Sequence, residues 1–198
     1  MKYLVLDIET GGAAAENSTL LVAAFQIYDE SKLIGSLELK TKPNKGEPYI
    51  VTAEGLSVNK IDLVEHDKTA ITYKEAGTLL YEFLSQNCIA SVDSRLVKEK
   101  YIVIGFGIHS DLQKIFSTLM NEKTFDIFCK YTRIDVSGLL LALRGFGVLD
   151  QDTPESLEAI AQYLQLQHTP HNAMSDAMVT FRIFEYIKYG LELIRLAN

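Results

Sequence analysis

Apolar residues along the chain fall first into short runs and later into helical spacing. Tyr3-Leu4-Val5-Leu6 opens a run over residues 2–8 that predicts a buried strand ending at Asp7-Ile8-Glu9. A Gly/Ala-rich turn from Gly11 to Thr19 follows, then two more strand-like runs, Leu20–Tyr28 and Leu33–Thr41, with Asp29-Glu30-Ser31-Lys32 as a hairpin loop. The first 41 residues therefore predict an antiparallel meander of three strands. Residues 42–50, with Pro43, Gly46 and Pro48, predict a loop, and Thr52–Asn59 a short helix.

Thereafter the period changes. Ala76, Leu79, Leu80 and Phe83 recur at helical spacing within Tyr73–Gln86. Tyr101–Ile104 predicts a strand cut off by Gly105, Ser110–Leu119 a helix, Arg133–Val136 a last strand and Leu139–Leu143 a further helix. Thr153 is the expected N-cap of a helix running to about Leu164, with Pro154 at its first position. The final helix is expected from near Asn172 to beyond Tyr186. Strands first, then strands alternating with helices, predict an α/β layered fold on a mixed sheet. No repeat or long linker divides the chain, so one domain over residues 1–198 is expected.

A hydrophobic fraction of 47% supports a sizeable core. The net charge of −7 argues against a protein that coats duplexes, which would leave a basic footprint. It is compatible with an enzyme that grips only a strand end, because carboxylates that bind cations count as negative yet are neutralised in use. Cys88 and Cys129 sit in no metal pattern and are expected to be reduced thiols. No apolar stretch approaches a membrane span, and the opening run is too short for a leader, so a cytoplasmic protein with no membrane partner is expected.

Three clusters carry chemistry. Asp7 and Glu9 alternate with Ile8 and so share a face at the carboxyl end of the first strand, where open α/β sheets place their sites. Two like charges on one face are costly unless a cation holds them, although acids are also common where a strand ends in solvent. Asp111 follows Gly105-Phe106-Gly107-Ile108-His109-Ser110 in the first turn of a helix, where the helix dipole favours a carboxylate and where plain capping would also place one. A dinucleotide fingerprint fails there, since Ser110 stands at the third glycine position. His171 lies just outside the last helix and Asp176 early on it, while Met174, Ala177, Phe181 and Phe184 form a core stripe.

Taken in order, Asp7-x-Glu9, Asp111 behind a strand–Gly–helix junction and His171-x-x-x-x-Asp176 resemble the three motifs of the DEDDh exonucleases. Asp7-Ile8-Glu9-Thr10-Gly11-Gly12 is similar to that family's DxETTG, and His171-Asn172-Ala173 with Asp176-Ala177 to its HRAxxDA. Ala53–Ile61 and Leu157–Leu164 resemble its connecting segments, so the likeness spans nearly the whole chain. The resemblance implies a ribonuclease H-like α/β fold with a five-stranded mixed sheet, a three-stranded antiparallel meander plus two parallel strands, flanked by helices. It implies a 3′-to-5′ exonuclease acting on the 3′ end of single-stranded DNA or RNA and releasing nucleoside 5′-monophosphates. Asp7, Glu9, Asp111 and Asp176 would hold two divalent ions, and their all-oxygen ligation suits Mg²⁺ or Mn²⁺. His171 would be the general base, a role suited to imidazole because it titrates near neutrality, with His168 its nearest competitor. Thr10, Gly11, Gly12 and Phe106 would flank the terminal nucleotide. The chain departs from the family where Phe106 and Gly107 replace a common His-Asn pair and Ser110 replaces Phe, which alters the support around Asp111. Partners left open are a homodimer or a polymerase, and the alternative function is a non-catalytic nucleic-acid-binding or polymerase-partner subunit on the same fold.

Overall fold

The computed structural model describes residues 1–12, 17–88 and 99–197. The expected Gly11–Thr19 turn therefore lies partly outside the described residues. Three long strands come first, β1 (Lys2–Thr10), β2 (Leu20–Asp29) and β3 (Lys32–Lys42). The helices α1 (Ala53–Asn59) and α2 (Leu63–Thr69) lead to the two-residue β4 (Ile71–Thr72) and to α3 (Tyr73–Asn87). Next are β5 (Tyr101–Gly105), α4 (Ile108–Thr118), α5 (Glu122–Phe128), β6 (Cys129–Asp135) and α6 (Val136–Gly145). The short α7 (Leu157–Tyr163) and the long α8 (Ala173–Ala197) complete the chain.

The strands form one mixed sheet in the order β4-β3-β2-β1-β5-β6. β1, β2 and β3 are the expected antiparallel meander; β5 runs parallel to β1, and β6 parallel to β5. The sheet has six strands where five are expected, because Thr41 and Lys42 at the end of β3 pair in parallel with Ile71 and Thr72. Two residues leave no periodicity to read.

Alternation on β1 separates two cores. Leu4 and Leu6 face α3, α4 and α5, where Phe25, Leu80, Ile115 and Phe125 are fully buried. Tyr3 and Val5 face α6, α7 and α8 together with Ile104, Val136 and Ile160. β1 is thus buried on both faces, which explains its unbroken apolar run. On its second face the long helix is pinned by aromatic packing: the Phe181 ring stacks on Tyr28 with centroids 3.7 Å apart, and Phe184 meets Tyr3 edge-on at 5.4 Å. Full burial of a side chain such as Phe181 contributes about 2–3 kcal/mol.

Caps correct several expected boundaries. α7 starts at Leu157, not after Pro154, because the Ser156 hydroxyl accepts the Ala159 N–H at 3.3 Å while the Thr153 and Pro154 carbonyls are taken by the buried Arg144 guanidinium. α3 opens on a capping box in which Thr72 and Glu75 satisfy each other's backbone N–H groups. Its buried face is Tyr73, Ala76, Leu80 and Leu84, with Leu79 exposed. Asp62 and Asn121 cap α2 and α5, neither of which was expected.

Candidate active site

The odd-numbered face of β1 carries Tyr3 and Val5 into the α8 core, so Asp7 and Glu9 point to that side at the strand's carboxyl end. The first turn of α8 brings Asp176 to meet them. Gln26 on β2 helps fix that turn, its buried amide donating to the Met174 carbonyl at 3.2 Å. Ligand oxygens of Asp7, Glu9 and Asp176 all lie within 4.8 Å of one another. α4 packs on the opposite face of the sheet and follows β5, which is paired directly to β1; Asp111 stands outside the 4.8 Å cluster but lines the same cleft as Glu9 and is near enough for its charge to act on Asp7 and Glu9.

Gly107 opens the helix that carries Asp111. It caps α4 in the left-handed conformation at φ +68°, a geometry that glycine adopts without cost. Its N–H donates to Asp135 Oδ1 at 2.9 Å, and the same oxygen accepts the Ser137 N–H and hydroxyl. One carboxylate thus ties the β5–α4 and β6–α6 turns together. Sequence reasoning missed Asp135; its signal was an N-cap Asp at a strand-to-helix junction.

The carboxylates are held against their charge. Asp7 is half-buried at the end of β1. Burial first, then the charges of Asp111, Asp176 and Glu9, hold its carboxyl well above the usual range. Glu9 is pushed up to about 7 by burial and by Asp176 and Asp111. Asp111 is also raised to about 7, by burial and by the charge of Asp135, against a hydrogen bond from Ser110. Asp176 is raised by burial, opposed by His168. Four oxygen-donor carboxylates with mutual repulsion fit a hard divalent cation, whose charge would offset both the desolvation and the repulsion.

The two histidines are placed differently. His168 is the buried one, its side chain 7% exposed with Nε2 2.5 Å from Asp176 Oδ1. His171 is exposed, in a left-handed turn at φ +59° beside the start of α8, near enough that its charge lowers Asp176. The His168 contact could not be read from spacing, because residues 164–172 are loop.

Beside the acids lies a cleft of about 480 Å³ lined by Glu9, Thr10, Gly12 and Asp111, and across from them by Thr52, Glu54, Gly55, Val58 and Asn59 of α1 and its cap. Of the expected nucleotide-flanking residues, Thr10 and Gly12 line it. Gly11 packs behind, against Ile50 and Val51, and Phe106 packs against the α6–α8 core. Gly55 lets α1 close down on the turn: a Cβ there would lie 2.5 Å from the Gly11 carbonyl oxygen. Asn59 donates from its amide to the Thr10 carbonyl at 2.8 Å, tying the far wall to the end of β1.

Residues 4–184 match the model of the RNase T family, described as exonucleases. The chain belongs to that exonuclease family. The motifs predict DEDDh exonucleases; the coarser grouping, DEDD 3′-to-5′ exonucleases of the ribonuclease H-like superfamily, stands with the family match. No curated protein matches the chain by sequence. Among solved structures, Escherichia coli exonuclease I in complex with a dT13 oligonucleotide superimposes with a TM-score of 0.78 at 14% identity, over 98% of this chain and 42% of that one. A product-bound exonuclease I gives 0.74 at 16% identity, over 95% and 43%. A moderately thermophilic exonuclease I from Methylocaldum szegediense gives 0.70 at 18% identity, over 92% and 39%. These likenesses establish the fold, and the chain spans about two-fifths of the length of the proteins compared. Family membership supports nuclease activity. Among the described residues no helix is long and apolar enough to cross a membrane.

Proposed function

We propose that this exonuclease-family chain is a DEDDh-type 3′-to-5′ exonuclease that removes nucleoside 5′-monophosphates from single-stranded nucleic acid. The observation that carries the reading is the convergence of Asp7, Glu9 and Asp176 within 4.8 Å at the edge of a cleft sized for a nucleotide, under the charge of Asp111. The dT13 oligonucleotide in the E. coli exonuclease I structure supports a single-stranded substrate.

In this reading Asp7, Glu9, Asp111 and Asp176 hold two divalent ions, Mg²⁺ or Mn²⁺. Such ions, when bound, supply activation of water and neutralisation of charge at phosphorus. The chain's own groups do the rest. His171, exposed beside Asp176, takes the proton from the attacking water. His168 holds Asp176 in one orientation through its short hydrogen bond. Thr10, Gly12 and the α1 wall seat the terminal nucleotide, and the close backbone packing at Gly55 keeps that wall rigid.

The test is a 5′-labelled single-stranded DNA and its RNA counterpart incubated with Mg²⁺, Mn²⁺ or EDTA, beside Asp7→Ala. A ladder shrinking from the 3′ end, dependent on metal and absent in the variant, is the expected result. Intact strands under every metal, or equal cleavage by Asp7→Ala, would overturn the reading.

A further inference from the structure

Lys114 lies on α4, three residues beyond Asp111, and is 7% exposed. A lysine buried to that degree ordinarily has a carboxylate partner. Among the described residues none lies within ion-pair distance, and its ammonium is lowered by burial with no acid opposing the effect. The side chain instead lines a second groove, of about 490 Å³, with Ser18, Thr19, Ile50 and Tyr73, and with Asn17 and Glu47 exposed at its edge.

The Tyr73, Ser18, Thr19 and Glu47 polar groups of the groove are already engaged, the Tyr73 hydroxyl by the Leu20 N–H at 3.0 Å. The Ser18 hydroxyl donates to the Gly12 carbonyl at 3.2 Å, and Thr19 Oγ1 accepts the Ile50 N–H at 2.7 Å. A Glu47 carboxylate oxygen accepts the Asn44 N–H at 3.0 Å. Lys114 is therefore the one cation lining the groove among the described residues, with no carboxylate within ion-pair distance. Its stem is buried while its ammonium opens into the groove without a carboxylate beside it, an arrangement that suits an anionic ligand.

Position says which anion. The groove and the active-site cleft share a wall in which Gly11 donates to Thr19 (2.8 Å), Thr19 to Ile50 (2.8 Å) and Thr52 to Gly11 (2.7 Å). Gly12 and Thr52 face the cleft, whereas Ser18 and Ile50 face the groove. A strand seated in the cleft and draped over this wall would pass the lysine. A polyanion entering a site built of acids, on a chain of net charge −7, needs a cationic contact away from those acids.

We propose that Lys114 is a phosphate-binding residue for the nucleic-acid strand, gripping a backbone phosphate in this groove, across the Gly11–Thr52 wall from the scissile bond. The assignment rests on the exonuclease reading.

The experiment measures binding of a fluorescent oligothymidylate across a salt series, using Asp7→Ala to prevent cleavage and comparing it with Asp7→Ala/Lys114→Met and Asp7→Ala/Lys114→Arg. Loss of one phosphate contact on a single strand should reduce the slope of log Kd against log salt by about 0.7, with roughly severalfold weaker binding at low salt. The arginine variant should keep the parent slope. The methionine variant should melt no lower than its parent in the absence of ligand, because it keeps the buried stem and removes a charge that pairs with no described carboxylate. Thymidine 5′-monophosphate should bind both proteins alike. An unchanged slope in the methionine variant would overturn the proposal. So would an equal loss of mononucleotide affinity, which would assign the lysine to the product's phosphate, and so would a parent that binds no strand. A wild-type chain that binds strands without shortening them would sink the exonuclease reading while leaving the slope comparison intact.

Discussion

Glu9→Gln is expected to stabilise the metal-free protein at pH 8. In the unfolded chain this carboxyl titrates near 4.5; in the folded one burial and the charges of Asp176 and Asp111 move it to about 7. Between those values the folded state keeps a proton that the unfolded state has lost, so stability falls as the pH rises through the interval and stays lowered above it. The interval corresponds to roughly 3 kcal/mol, at about 1.4 kcal/mol for each tenfold change in proton affinity. Asp7, Asp111 and Asp176 share the repulsion, so removing one charge recovers part of that, about 1–3 kcal/mol. Glutamine keeps the side-chain shape without the charge. For a chain of this size the melting midpoint should rise by about 2–10 °C. The assay is thermal melting in EDTA at pH 4.5 and pH 8, followed by the same melts with Mg²⁺. Wild type should gain more from Mg²⁺ at pH 8 than at pH 4.5, since the ligands must be deprotonated, and the variant should gain little. A Glu9→Gln protein that melts at or below wild type at pH 8 in EDTA would refute the reasoning, because it would mean that the cluster is not held against its charge.

Other outcomes follow from the same geometry. His171→Ala should lower kcat by about 10²-fold or more with the Mg²⁺ requirement unchanged. His168→Ala should instead raise the Mg²⁺ concentration for half-maximal rate by about 10–100-fold, since it frees Asp176; a large fall in kcat at unchanged Mg²⁺ requirement would make His168 the base. Gly77→Ala should destabilise by about 1–3 kcal/mol in urea unfolding, because a Cβ there would lie 2.2 Å from the Leu119 carbonyl oxygen.

Strong periodicity made the meander and the acids of β1 legible. Tyr3–Leu6 is buried on both faces, and alternation alone placed Asp7 and Glu9 together. β6 was read short because Lys130, Tyr131 and Thr132 lie exposed at the sheet edge, where no burial pattern marks a strand. The helices α2 and α5 have seven residues each, too few for an apolar stripe to rise above its neighbours, and their caps Asp62 and Asn121 were not read. What lay beyond reach was contact between segments distant in sequence. Nothing near Asp135 says that its oxygen takes the Gly107 N–H, and nothing near Lys114 says that no described carboxylate comes within ion-pair distance of it. His168 was judged by its distance along the chain from Asp176, whereas the loop between them folds back and joins the two.

β1 lies between β2 and β5 and is covered on both faces, so its backbone amides open only when the molecule opens as a whole. The same strand ends in the two acids that repel their neighbours. That repulsion cannot be relieved by local fraying; it is charged to the entire cooperative unit. Cation binding at these carboxylates would accordingly slow amide exchange throughout the sheet, including positions far from the cleft, and its loss would quicken them together.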